Sequence, residues 1–218
     1  MSQFLHRAAS PLPVRAAAPR LAVIAIVLAL GTPLHAQETV VTLDPAQTRI
    51  EFTLSATLHT VHGSFRLKSG EIRFDPGTGK ASGKVIVDAP SGESGNASRD
   101  KKMHREILES EKFPEIVFTP TQVKGTLNAG GVSQLTISGV FRLHGAEHAV
   151  TLDVAVQPSG ASQALAPQSR EQLQAATQFT IPYVQWGLKN PSSFLLHVSD
   201  KVDIEIHAVG KLAPAPTL

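Results

Sequence analysis

Apolar and polar residues alternate along much of the chain, so that every second position is apolar. The clearest case runs from Ile50 to Leu58, where apolar residues are separated by Glu51, Thr53 and other polar side chains. A period of two places the apolar side chains on one face of an extended strand. The predicted strands are Ile50–Leu58, a hairpin formed by Phe65–Leu67 and Ile72–Phe74 around Ser69 and Gly70, Lys84–Asp88, Glu115–Val123, Gln134–Leu143, Ala149–Gln157, Ala176–Tyr183 and Lys201–Val209.

One segment departs from this period. Between Ser98 and Leu108, the apolar residues Met103 and Ile107 lie four positions apart among charged residues, which predicts a short amphipathic helix between two strands. Ser98 and Asp100 are residue types that favour the start of a helix. Eight or more strands with one apolar face each bury those faces together in a sandwich or a barrel, so the predicted fold class is all-β with one short helix at a crossover.

Glycine, proline and polar residues mark the connections. Glycine-rich segments at residues 77–79 and 128–131 predict hairpin turns. Residues 158–174 are polar and low in complexity, which predicts a long mobile loop. We therefore expect one domain over residues 37–212, followed by a flexible tail at residues 213–218.

The first 36 residues have the layout of a secretory signal peptide. Three arginines and no acidic residue precede the apolar run Leu21–Leu30, and a helix-breaking segment then ends at Ala36. The run is shorter than the roughly 20 residues of a transmembrane helix. We expect cleavage after Ala36 and a periplasmic location; the alternative is an uncleaved N-terminal anchor.

Composition and charge exclude several classes of function. With 42% apolar and 17% charged residues the chain is expected to fold. Its lack of cysteine excludes disulfide frameworks, thiolate nucleophiles, cysteine-ligated zinc and iron–sulfur clusters. Setting aside the three leader arginines leaves 17 basic residues against 18 acidic ones, so no basic surface for nucleic acid is expected.

Several fragments, in their order and spacing, resemble the YceI-like family of secreted bacterial lipid-binding proteins. The similarity covers nearly all of Thr42 to Lys211. The fragments are Leu43–Ala46 with Ile50–Phe52, His62–Phe65, Ser69–Asp75, Ser98–Met103 leading into Glu111–Phe118, Leu135–Val140 and Val202–Ile206.

The resemblance implies a lipocalin-like antiparallel barrel of about eight strands, with the helix by its opening and a long isoprenoid-type amphiphile in its lumen. Burial of a hydrocarbon tail needs no catalytic group, and no catalytic motif is present, so we expect a carrier without enzymatic activity and without a cofactor. Transient membrane contact for lipid exchange and a homodimer are both compatible with such a barrel. The candidate ligand-binding residues are Phe52, Leu54, Phe65, Phe74 and Phe118 in the lumen, Met103 and Ile107 on the helix, and Arg99 with Asp100 at the mouth.

These residues have alternative interpretations. Arg99 and Asp100 could contact a ligand head group, or they could cap the helix and form an ion pair that holds the crossover. Met103 and Ile107 could face a ligand or simply cover a core. Trp186 could stack over the mouth or anchor a loop.

Two other classes of function remain open at this point. His59 with His62, and His144 with His148, could form a metal or haem site if turns brought them together. A hydrolase or isomerase would need a polar pocket with a perturbed acid or base, and no nucleophile-elbow or phosphate-binding glycine motif supports one. A barrel filled by its own side chains would carry no ligand.

Overall fold

The structure is a computed structural model, and it describes residues 38–128, 131–158, 172–194 and 196–214. The expected leader, residues 1–36, lies outside the described residues. The same holds for residues 159–171 of the expected loop and for residues 215–218 of the expected tail. No helix within the described ranges is long and apolar enough to cross a bilayer.

Nine strands and one helical crossover make up the described part of the chain. The crossover is a short α-helix that continues directly into one turn of π-helix. The elements in chain order are β1 (Thr39–Leu43), β2 (Arg49–Ser55), β3 (Thr60–Phe74), β4 (Ala81–Glu93), α1 (Ala97–Lys102), the π turn (Met103–Ile107), β5 (Glu115–Lys124), β6 (Ser133–Leu143), β7 (Ala146–Pro158), β8 (Gln172–Ile181) and β9 (Val202–Pro214).

The strands close into an antiparallel barrel with eight strand positions. Each strand from β3 to β9 pairs with its neighbour in the chain, and β1 and β2 together complete the circle between β3 and β9. β1 pairs with one half of β9 and β2 with the other, so the two short strands follow each other in a single position. The all-β prediction, with about eight strands and one short crossover helix, is confirmed.

A tight turn after Leu43 separates β1 from β2. Asp44 accepts hydrogen bonds from the backbone N of Ala46 (2.9 Å) and from Nε2 of Gln47 (2.6 Å). The bond from Gln47 is the main reason why the pKa of Asp44 is lowered. The backbone N of Asp44 also donates to the carbonyl of Val209 (2.7 Å), which ties this turn to β9.

The two ends of the barrel differ. One end, which we call the helix end, carries the β2–β3 turn, the helical crossover, the β6–β7 turn and the segment between β8 and β9. Near this end the wall between β7 and β8 is open, because their pairing begins only at Val154 and Thr177. Residues between β8 and β9 fill the gap: the indole of Trp186 stacks on the ring of His148, with centroids 4.0 Å apart and planes 4° apart.

The structure corrects the predicted hairpin at residues 65–74. These residues belong to one strand, β3, which has 15 residues and a pairing irregularity between Leu67 and Ser69. Gly70 does not form a turn. A Cβ atom built on Gly70 would lie 2.6 Å from Cδ1 of Leu43, so glycine is needed there because β1 packs closely against it.

Other boundaries also differ from the sequence-based prediction. The helix begins at Ala97 and is capped by Asn96, whose side chain accepts from the backbone N of Arg99 (3.0 Å); Ser98 and Asp100 lie inside it. β7 reaches Pro158 and β8 begins at Gln172, so strands occupy both edges of the expected loop. β9 reaches Pro214, two residues into the expected tail, because it pairs with β1, a strand that the sequence did not predict.

Candidate functional site

The half of the barrel near the helix end encloses a cavity of about 470 Å³, which we call the main chamber. This volume is within the range of roughly 300–1,000 Å³ that is usual for small-molecule sites. Alternate residues of the strands form its walls, because a period of two turns one set of side chains inward. Residues on β2, β8 and β9 that line it include Ile50, Phe52, Leu54, Ile181, Ile204 and Ile206.

The other half contains a smaller apolar cavity of about 170 Å³, the lower chamber. Its walls include Phe74, Phe118, Val123, Leu135, Leu152 and Leu173.

A ring of five side chains separates the two cavities. We call this ring the waist, because each of its members lines both chambers. Two of them, Phe141 on β6 and Phe179 on β8, meet edge to face with ring centroids 6.3 Å apart. The members are Val87, Ile116, Phe141, Phe179 and Ile206.

The helical crossover covers one side of the main chamber. Met103 and Ile107 from the π turn line it and pack among the same buried residues as Phe65. A Cβ atom built on Gly92 would lie 2.5 Å from Phe65 and 2.9 Å from Met103, so this glycine lets the crossover approach β3. His104 bonds through Nε2 to the carbonyl O of Gly92 (2.8 Å) and fixes the turn from its other side.

Ser94 links the start of the crossover to both of its charged neighbours. Arg99 donates from Nε to Oγ of Ser94 (2.7 Å) and from Nη2 to the carbonyl O of Ser94 (2.7 Å). Asp100 accepts through Oδ1 from the backbone N of Ser94 (3.0 Å) and from its hydroxyl. The expected ion pair is therefore replaced by an arrangement in which Ser94 lies between the two charges.

Few titratable groups line the main chamber, and those that carry a charge are basic. Arg99, Lys102 and His59 line it, and no carboxylate does so within the described part of the chain. Tyr183 also lines it and donates its hydroxyl to the carbonyl O of Ser199 (2.6 Å). Burial raises the pKa of Tyr183 to about 12, and the nearby charge of Asp200 acts in the same direction.

Comparison with known families agrees with this architecture. A family model described as the YceI-like domain matches residues 41–210. The chain belongs to the YceI-like family. A search of curated proteins found no match.

Solved structures with a similar fold also match this YceI-like chain. BcnA of Burkholderia cenocepacia is 18% identical, with 77% of this chain and 98% of that chain covered and a TM-score of 0.59. A polyisoprenoid binding domain from Saccharophagus degradans, implicated in plant cell wall breakdown, is 16% identical, with 79% and 98% covered and a TM-score of 0.61. At these identities the likeness establishes the shared fold.

The structure distributes the predicted ligand-binding residues of this YceI-like protein over two cavities. Phe52, Leu54 and Phe65 line the main chamber, together with Met103, Ile107 and Arg99. Phe74 and Phe118 line the lower chamber instead. Asp100 borders a polar groove on the outside of the barrel and not the chamber. Whether these residues contact a ligand remains a prediction.

The histidine pairs do not converge. His59 lines the main chamber, whereas His62 lies in the outer groove, where Nδ1 is 3.1 Å from Oγ1 of Thr53. The ring of His144 lies tilted against that of Phe113, with centroids 4.5 Å apart, while His148 stacks on Trp186. Among the described residues no group of three or more histidine, aspartate or glutamate side chains is placed to hold a metal ion.

Sequence reasoning missed the residues that divide the lumen. Phe141 and Phe179 were inside predicted strands but were not among the candidate contacts. The available signal was their phase: each lies at an even spacing from a core residue of its own strand, Leu135 and Ile137 for Phe141 and Leu173 and Ile181 for Phe179.

Proposed function

We propose that this YceI-like protein is a periplasmic carrier that holds one long-chain amphiphile, of the isoprenoid type, inside its barrel. The observation that carries the proposal is the main chamber, a partly open cavity of about 470 Å³ whose lining is almost wholly apolar. An eight-stranded barrel can otherwise be filled by its own side chains. Removing apolar surface from water contributes about 25 cal/mol for each Å² buried. A hydrocarbon tail gains from entering such a space without any catalytic group.

The charged side chains favour one orientation of that amphiphile. Arg99 and Lys102 line the chamber where the crossover covers it, and the lower chamber has an apolar lining. A charged or polar head group keeps its solvation and gains donors if it stays beside these two cations. We therefore place the head group at the helix end and the tail toward the waist.

We propose binding without catalysis for this chamber. Tyr183 is held by Ser199, and a pKa of about 12 keeps its phenol protonated at neutral pH. A general acid or base works best with a pKa near the operating pH. The arrangement supports a carrier over a hydrolase or isomerase.

Native mass spectrometry of protein purified from cells that express the full chain tests the proposal. We expect one copy of a lipid per barrel, identified after organic extraction as a prenyl or long-chain acyl species, and the same spectrum reports whether a homodimer forms. A ligand-free mass, with no uptake of added prenyl alcohol, would refute the carrier function.

A pair of tryptophan substitutions makes this test specific. Leu54 points into the main chamber, so Leu54→Trp fills part of it and should abolish lipid retention. Ser55 is its exposed neighbour on the opposite face of β2, and Ser55→Trp should retain the lipid. Cell fractionation with an antibody to the barrel tests the periplasmic location, which rests on the leader-like residues 1–36.

A further inference from the structure

Two large apolar side chains are fully or almost fully exposed at the helix end of the barrel. Leu58, in the β2–β3 turn, is 79% exposed, and Phe194, between β8 and β9, is 101% exposed. Single exposed apolar residues are common on protein surfaces, but neighbouring ones at the mouth of a cavity mark an interaction surface. We call Leu58 and Phe194 together the apolar rim.

Hydrogen bonds join the two loops that carry the apolar rim. Thr57, beside Leu58, donates to the carbonyl O of His197 from its backbone N (2.9 Å) and from Oγ1 (3.1 Å). An isolated bridge pairs Ala56 with Val198. The two exposed side chains therefore belong to one continuous edge of the barrel.

That edge borders the main chamber. The rim residues themselves point to solvent, whereas their neighbours in both loops face inward. The neighbours that line the chamber are Ala56, His59, Pro191, Leu196 and Val198. A surface pressed against the apolar rim would therefore lie directly over the cavity.

The loop that carries Phe194 is held in shape by its own polar groups. Asn190 donates from Nδ2 to the carbonyl O of Val198 (3.1 Å) and accepts from the backbone N of Ser192 (2.8 Å). The backbone N of Val198 donates to Oγ of Ser192 (2.8 Å). The fold thus keeps the phenyl ring of Phe194 in water, although burying it would be favourable.

Two exposed lysines belong to elements at the same end of the barrel as the apolar rim. Lys102, on the crossover, is exposed and lines the chamber, and Lys189 is exposed next to Leu188, another lining residue. Asp100, the carboxylate that follows Arg99, is bonded to Ser94 and faces the outer groove. Apolar tips combined with lysines complement the interface of a bilayer that contains anionic phospholipid.

We propose that the apolar rim docks this protein on the surface of a phospholipid bilayer, so that the main chamber opens against the membrane. Leu58 and Phe194 enter the interface while Lys102 and Lys189 contact anionic head groups. A lipid then passes between bilayer and chamber without crossing bulk water. The proposed role of docking in lipid exchange rests on the proposed carrier function. The binding to the bilayer itself does not depend on that function.

Co-sedimentation with vesicles of phosphatidylethanolamine and phosphatidylglycerol tests the docking. The protein is expressed from the full chain, and wild type and variants share the same N-terminus. We expect the double variant Leu58→Ser with Phe194→Ser to lower the vesicle affinity about tenfold, because it removes most of the apolar area that inserts. Val132→Ser is the matched control, since Val132 is 55% exposed at the opposite end of the barrel.

A second measurement separates the failure of docking from the failure of the carrier function. Native mass spectrometry with a prenyl alcohol added in detergent reports binding in solution, where the double variant should match wild type. Transfer of the same prenyl alcohol from vesicles should be about tenfold slower in the variant if docking serves exchange. Loss of vesicle affinity in a protein that binds no lipid would uphold the docking and refute the carrier.

Two results would overturn the docking proposal. The first is equal vesicle affinity for wild type and the double variant. The second is the absence of vesicle binding by the wild type, which would leave the apolar rim to a protein partner. Equal binding to vesicles of phosphatidylcholine alone would overturn the role of the lysines.

Discussion

Phe141 and Phe179 meet edge to face with ring centroids 6.3 Å apart, and both rings border the main and the lower chamber. They belong to β6 and β8, on either side of β7. Both chambers have apolar walls, but these side chains lie between them and divide the lumen. The length of tail that the barrel accepts should depend on this contact.

Phe179→Ala should join the two chambers. We expect prenyl alcohols longer than the wild-type optimum to bind more tightly to the variant, because their tails can enter the lower chamber. The free energy of unfolding should fall by about 2–3 kcal/mol, less than for a fully packed phenylalanine, because the ring already borders empty space. Affinities for a series of prenyl alcohols of increasing length check the prediction.

Phe74→Ala is the control for this series. It enlarges the lower chamber without touching the waist, so the preferred tail length should stay that of wild type. An unchanged length preference in Phe179→Ala would show that the waist does not limit the tail.

Gly63→Ala should destabilise the barrel. A Cβ atom on Gly63 would overlap the carbonyl O of Glu93 and the ring of Phe52, and the backbone atom cannot move away alone. We expect a loss of about 1–3 kcal/mol in the free energy of unfolding. Gly131→Ala, where nothing lies within 4 Å, should change it by less than about 0.5 kcal/mol. Urea denaturation of both variants and of the wild type measures these free energies of unfolding.

Ser94→Ala should loosen the crossover. Arg99 and Asp100 each lose the bond to the Ser94 hydroxyl but keep their bonds to the backbone of Ser94, so the free energy of unfolding should fall by about 0.5–1.5 kcal/mol. We expect faster amide hydrogen exchange in α1 and faster release of bound lipid. Lys101→Ala, on the same helix at an exposed position that does not line the chamber, is the control and should exchange like wild type. Identical protection in the two variants would contradict a role for Ser94.

Tyr183 should make the fold sensitive to alkaline pH. Burial raises its pKa to about 12 in the folded protein, from an ordinary value of 10.0. Above pH 10 the unfolded chain loses the phenolic proton first, so stability is lost as pH rises from about 10 to about 12. Below pH 10 both states keep the proton and this contribution is constant.

The composition makes this measurement simple. Tyr183 is the one tyrosine of the chain, so phenolate absorbance reports it alone. We expect a titration midpoint near pH 12 in the folded protein and near 10 in denaturant. Equal midpoints would mean that the hydroxyl is solvated in the fold. Tyr183→Phe should remove the signal and this part of the alkaline slope.

The alternation of apolar residues was sufficient to predict the barrel, because the apolar positions within each strand identify the face that is buried. β2, β6 and β7 were predicted within a few residues of their ends. β1 was missed because it has only five residues and its pairing with β9 involves partners far along the chain, from Gly210 onward. Gly70 was also misinterpreted, as a turn residue, because the side chain that requires a glycine there is Leu43, which belongs to another strand.

The candidate site was predictable as a lumen but not as two chambers. Period two identifies inward residues such as Phe52 and Phe118, yet it does not say at what height each lies. Height depends on the stagger between neighbouring strands, which pairs Phe118 with Phe141 and places Phe52 opposite Ile204. For Arg99 and Asp100 the sequence left a head-group contact and an ion pair as alternatives, whereas the structure bonds both side chains to Ser94, which follows β4.

The pairing of β1 with β9 sets the order in which this protein can fold. Thr39 lies opposite Pro214, so the first and last described strands complete the barrel together. A chain synthesised from its N-terminus can pair β1 with β3 early, but the barrel stays open until β9 is available. We expect closure to be a late and slow event, as for other proteins dominated by distant contacts. Until β9 docks, the neighbouring edges of β2 and β8 stay unpaired, and open strand edges can pair with other chains.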